Sequence, residues 1–185
     1  MLYWGVISST SIAGTAMSDL IDRTLGLGYT LGSSLLIAIL LMIFGYWYVS
    51  EKSLDINHIH TRKVEILYWT AILFSNTLGT AFGDFLSDSS GLGYKGGAIL
   101  IGSLLVIIVL SYYFTKVSRV FLFWIAFVLT RPFGATLGDL LTKPHAKGGL
   151  DLGTIGSSTV LASILIIFII YSTIKNSKTE DPLLS

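Results

Sequence analysis

Six apolar runs, at about Leu2–Leu20, Leu31–Val49, Val64–Leu86, Gly96–Phe114, Val120–Leu141 and Gly153–Ile174, make up most of the chain. Each is roughly 19–23 residues, the length a helix needs to cross a hydrocarbon layer of ~30 Å. Segments of that kind leave few folds open. In hydrocarbon each backbone N–H and C=O must be bonded internally, so spanning segments are helices or members of closed barrels, and runs this long read as helices. Composition agrees: of 185 residues, 52% are hydrophobic and 12% charged, against about 25% charged in soluble domains. The mean hydropathy is +0.75. There are no cysteines, which excludes a disulfide framework, a thiolate metal site and a thiol nucleophile. Met1-Leu-Tyr-Trp has no basic n-region, so no cleavable secretory leader is expected.

Three of the runs are copies of one another. Registered on Trp4, Trp69 and Trp124, the chain places Gly14, Gly79 and Gly134 at plus ten and Asp19, Asp84 and Asp139 at plus fifteen. Gly26 and Gly28 match Gly91 and Gly93, each pair followed by Tyr; the third copy keeps only Gly148 and has Lys143-Pro144-His145 in place of the turn. Repeats of this kind precede any choice of fold. They predict an all-α, polytopic transmembrane helix bundle of about six helices, built from three parallel tandem two-helix repeats. One transmembrane domain is expected over 1–185, with repeats at about 2–50, 64–116 and 120–174 and a flexible tail at 175–185.

The two helices of a repeat differ in kind. The second of each pair is uniformly greasy, as in SLLIAILLMIFGYWYV, while the first carries Gly, Ser, Thr and Asp, as in ILFSNTLGTAFGD. Small residues allow helices to approach closely inside a bundle, so the first helices belong inside and the second outside. Connections after even runs, with the C-terminus, hold Lys52, Arg62, Lys63, Lys116, Arg119, Lys175 and Lys178; those after odd runs hold Arg23, Lys95, Lys143 and Lys147. The excess predicts that both termini are cytoplasmic. The basic residues sit at segment ends rather than in a patch, and no nucleic-acid partner is expected.

The Trp, the G-T-x-x-G-D motif and the G-L-G-Y turn together resemble a bacterial integral-membrane family of unknown function built from tandem two-helix repeats with a signature Trp. The resemblance covers residues 2–174 and is strongest in FSNTLGTAFGDFLSD and FVLTRPFGATLGDLLTKP. It implies a multi-pass protein of the bacterial cell (inner) membrane, with the lipid bilayer as its surroundings. Members of that family usually carry four repeats. Three are seen here, and the absent one would be N-terminal, through a shortened chain or a misplaced start. A homodimer would close such an incomplete bundle by symmetry.

The candidate site is a set of intramembrane polar residues. Asp84 lies about 22 Å along a helix from Trp69, which, with the Trp at one interface, sets it in the far third of the membrane. A carboxylate there costs roughly 2.5–3.5 kcal/mol on insertion scales and needs a partner. Thr15, Asp19 and Asp22 share one helix face, as do Thr80, Asp84 and Ser87. For Asp19, Asp84 and Asp139 an ion or proton site is favoured over a purely structural role; for Asp22 and Asp88, close to the turn, capping the next helix is an equal alternative. Gly79-x-x-x-Gly83, Gly134-x-x-x-Gly138 and Gly14-x-x-x-Ser18 are read as packing faces.

At plus seven stand Ser11, Asn76 and Arg131, the last followed by Pro132, which predicts a break or kink. Arg131 either snorkels toward the cytoplasm or serves as a gate or counter-ion. Asp55, Asn57, His58 and His60 form a D-x-N-H-x-H stretch that a solvated loop explains better than a metal site. No HExxH, GxSxG or P-loop motif occurs, so neither an enzyme nor a bound cofactor is expected. The chain therefore reads as a small transporter or channel-like protein, with Asp19, Asp84, Asp139, Asp88, Asp22, Thr15, Thr80 and Asn76 binding a small cation or relaying protons and Arg131 as gate or counter-ion. The alternative is a non-transporting membrane scaffold that recruits a partner.

Overall fold

The computed structural model describes residues 2–56 and 61–180. The described residues form six α-helices and no strand: α1 (Leu2–Asp19), α2 (Gly28–Glu51), α3 (Arg62–Asp84), α4 (Gly93–Phe114), α5 (Arg119–Thr142) and α6 (Gly153–Glu180). Asn57, His58 and His60 lie outside the described residues. Four stretches are long and apolar enough to cross a membrane: Gly28–Glu51, Gly93–Phe114, Arg119–Thr142 and Gly153–Ile174. Helices α1 and α3 fall outside that set. Helix α3 opens on Arg62, Lys63 and Glu65, ends on Asp84, and carries Ser75, Asn76 and Thr77 midway.

The helix ends follow from local chemistry. The Thr61 hydroxyl caps α3 by accepting from the Val64 N–H at 3.3 Å. Helices α1 and α3 each widen into a π turn, Leu20–Thr24 and Phe85–Ser89, before the Gly-Leu-Gly step. In that step both glycines take positive φ: 72° at Gly26 and Gly28, 77° at Gly91 and 66° at Gly93. A side chain would be strained there, so glycine is the fitting residue. The third copy proves to keep the same step, in a place the tryptophan register missed. Asp151 has φ 55° and Gly153 φ 64°, so Asp151-Leu152-Gly153 matches Gly91-Leu92-Gly93 five residues late. Aspartate is among the few residues that tolerate this conformation. The delay accommodates Pro144 and a short 3₁₀ turn at His145–Lys147.

The chain divides into two compact units, Met1–Leu137 and Gly138–Ser185. In the first, α3 is the centre, burying Ala71, Ile72, Ser75, Asn76, Thr77, Leu78, Gly79, Ala81 and Gly83. Leu36 and Leu40 of α2 pack against Leu78 and Ala81. A second cluster gathers around Trp124, whose ring meets Phe44 at 4.9 Å, Trp47 at 5.7 Å and Tyr68 at 6.2 Å. Its indole N–H donates to the Leu54 carbonyl at 3.0 Å. The signature Trp of the third copy is thus a buried anchor, while Trp69 is half-buried. The outer faces of α2 and α4 leave Leu41, Met42, Val49, Ile99, Val106 and Ile107 exposed, a surface that hydrocarbon solvates and water does not.

In the second unit the loop folds back on the end of α5. Leu150 N–H donates to Leu140 O at 2.7 Å, Asp151 to Lys143 at 2.9 Å and Leu152 to Leu141 at 3.0 Å. Helix α6 continues past Ile174 to Glu180, where a flexible tail is expected from residue 175; no Gly or Pro interrupts it before Pro182.

Candidate functional site

The first helices of the repeats meet in a head-to-tail order set by glycine. A Cβ on Gly14 of α1 would stand 2.7 Å from the Cβ of Asn76 in α3. A Cβ on Gly79 of α3 would stand 2.2 Å from the Cβ of Arg131 in α5, and one on Gly83 2.7 Å from that of Ala135. Each step brings the plus-ten glycine of one copy onto the plus-seven residue of the next. The expected close approach is therefore present at Gly14, Gly79 and Gly83. Gly134 differs: it is exposed with nothing within 4 Å, and its open side is the wall of a cleft.

That cleft, of about 320 Å³, is lined by Ser11 and Thr15 of α1, Asn76 and Thr80 of α3, and Thr130, Arg131, Gly134 and Ala135 of α5. All three plus-seven residues take part. Arg131 Nη1 donates to Ser11 Oγ at 3.1 Å, and its guanidinium lies 5.9 Å from the Phe127 ring centre. Helix α5 runs unbroken through Pro132, which is buried beside Gly83. Asn76 is 4% exposed, and neither its Nδ2 nor its Oδ1 has a hydrogen-bond partner. Thr15 and Thr80 face each other with hydroxyls 3.4 Å apart, each also donating to the carbonyl four residues back. Thr130 and Gly134 escaped the sequence reading as site residues. Their signal was proximity to Arg131, which spacing alone could not turn into a shared wall.

One helical turn beyond the threonines come the aspartates. Arg23 contacts Asp19 at 3.3 Å and Asp84 at 3.7 Å, and its Nε donates to the Tyr29 hydroxyl at 3.2 Å. Two carboxylates from different copies thus share one guanidinium. The plus-nineteen position explains the arrangement: Arg23 and Lys143 occupy it in copies one and three, Asp88 in copy two. Asp139 pairs with Lys143 at 3.7 Å within the second unit, where Thr142 donates to Gly138 O at 2.8 Å. Asp84, facing Asp88 rather than a base at that position, draws on Arg23 of the preceding copy.

The turn-proximal aspartates separate. Asp22 is 5% exposed and accepts from Ser18 at 3.3 Å, and its Oδ1 occupies the space a Cβ on Gly32 would need; it seats α1 on α2. Asp88 is exposed, with the Tyr94 hydroxyl at 3.4 Å. Neither lines the cleft.

Fold and site together define a class: an all-helical protein of tandem helix pairs, in which the first helices of the repeats line a polar cleft within the first unit. The family model described as Repeat of Unknown Function (DUF347) matches residues 2–53, 67–118 and 122–177, and the chain belongs to that repeat family. No curated protein and no solved structure matches it. The third match is the longest, in keeping with the late Asp151-Leu152-Gly153 turn.

Proposed function

We propose that this chain is a small multi-pass membrane transporter or channel-like protein, in which a solute moves along the α1–α3 seam. The observation that carries the proposal is a continuous polar track. It runs from Arg131, Ser11 and Asn76 through the paired hydroxyls of Thr15 and Thr80 to Asp19, Asp84 and Arg23. Polar side chains inside an apolar bundle are costly, and proton and ion pathways are where they are retained. Helices α1 and α3 are repeats of α5, which has the length and hydropathy of a span, and this likeness supports a reading in which all six helices cross the bilayer. The basic-residue bias supports cytoplasmic termini.

In this scheme the carboxylates of Asp19 and Asp84, gathered on Arg23, form the acidic end of the track, where a proton or small cation is taken up. Thr15, Thr80 and Asn76 supply neutral oxygens, Arg131 is the counter-ion, and Asp139 serves the third copy. Proteoliposomes loaded with a pH-sensitive dye, and separately with labelled sodium or potassium, test this. Asp84→Asn is expected to cut flux at least tenfold with helicity unchanged. Flux equal to wild type would sink the role of Asp84. A scaffold reading draws on the contact of Asp22 with Gly32 and on the shared Arg23 pair; it predicts no flux of any probe in the wild-type protein.

A further inference from the structure

We infer that the cleft binds a small oxyanion, a carboxylate or a hydrogen-bearing inorganic oxyanion, held by Arg131, Asn76 and Ser11. This names the substrate class of the pathway proposed above, and it rests on that pathway for movement, not for binding. The charge balance of the cleft points this way. Arg131 is, among the described residues, the sole charged one lining it, and no carboxylate is part of that lining. Among the described residues the contacts of its guanidinium are a serine hydroxyl and a phenylalanine ring. Arg131 stands twelve residues into α5, about 18 Å from the helix start at ~1.5 Å per residue, so its charge sits near mid-bundle. Beside Arg131 the cleft therefore favours an anion, while the cation of the proposed path is taken at the aspartate end.

Hydrogen-bonding capacity narrows the class. The hydroxyls of Thr15, Thr80 and Thr130 spend their hydrogens on backbone carbonyls or, for one of the Thr15 and Thr80 pair, on the other hydroxyl. Ser11 accepts from Arg131 and keeps its own hydrogen to give. Asn76 is the second, independent sign: it lines the cleft, packs its Cβ against Gly14, and carries a buried amide with both ends unpaired. Buried amides are ordinarily satisfied, so an unpaired one on a residue that lines a cleft points to a ligand beside it. Arg131, Asn76 Nδ2 and Ser11 supply donors for the charged oxygens, in the forked geometry that suits guanidinium and carboxylate. Asn76 Oδ1 asks for a donor in return, which bicarbonate and hydrogen phosphate offer and a halide does not; acetate answers only the donors. A proton or cation taken at Asp19 and Asp84 would then travel with the anion and balance its charge.

The test is binding to the full chain purified in neutral detergent, read as thermal unfolding against sodium acetate, bicarbonate or phosphate at ionic strength held constant with sodium chloride. At least one of the three is expected to raise Tm saturably, as binding to the native state requires. Asn76→Asp, which sets a carboxylate beside Arg131, is expected to remove the response. Arg131→Lys should weaken it about tenfold, since lysine lacks the planar fork. Gly134→Leu fills open space without touching a polar group and should block binding even if the other variants fail to fold. A wild-type protein indifferent to all three anions, or variants that respond as wild type does, would overturn the inference. So would a wild-type dimer that Gly134→Leu breaks without any anion response, for the cleft would then be a groove between copies. Anion binding without flux leaves this site standing and removes the pathway; cation flux without anion binding does the reverse.

Discussion

At the scale of single residues, the same glycine position does opposite things in different copies. Gly79 is pressed on Arg131, whereas Gly134 borders open space. Gly79→Ala should therefore lose about 1–3 kcal/mol, the usual cost of forcing atoms into packed space. Gly134→Ala should be neutral or gain up to ~1 kcal/mol from helix propensity. Unfolding of the purified protein in mixed micelles by graded SDS measures both, and equal effects would contradict the packing described. The spacing of Gly14, Gly79 and Gly134 showed that they were equivalent, and their small size indicated close approach. That Gly134 would be left facing a cleft was not legible, because it depends on which helix stands beside α5. Asp19 and Asp84 were likewise singled out by register, yet their shared partner Arg23 emerged only when two copies were brought side by side.

At the scale of elements, the turn joining the two helices of a repeat is a backbone device. Gly91 holds φ 77° with nothing within 4 Å, so replacing it tests conformation alone. Gly91→Ala is expected to cost roughly 1–2 kcal/mol, and Asp151→Gly to stabilise by up to about 1 kcal/mol, the two φ-dependent effects having opposite sign. Thermal unfolding in detergent checks the pair; a loss of stability in Asp151→Gly would mean that the Asp151 side chain matters beyond its backbone. The Gly-Leu-Gly step was visible in two copies because glycine marks it. In the third the same backbone is carried by an aspartate after an insertion, and letter-by-letter register stopped at Gly148. The π turns closing α1 and α3 had no sequence signal, since an extra residue in a helical turn leaves the apolar pattern almost unchanged.

At the scale of the whole molecule, helix α3 lies inside and the outer faces of α2 and α4 carry apolar side chains. The chain has no cysteine, so single-cysteine variants report accessibility without background. A nitroxide at Leu41 or Ile107 is expected to collide freely with oxygen dissolved in the bilayer, and one at Ala71 or Ser75 to be shielded. Equal collision rates at the four sites would contradict the inside-outside order. The inside place of α3, the six helices and the threefold repeat were legible in the amino-acid sequence, whereas α1, expected inside, is largely exposed. Apolar run length, backbone satisfaction in hydrocarbon and the placing of small residues are local constraints, written position by position. The cleft, the sharing of Arg23 and the seating of Asp22 against Gly32 were decided by tertiary structure. Each depends on which residues face one another across a helix seam, and that follows from the head-to-tail docking of Gly14 on Asn76 and Gly79 on Arg131.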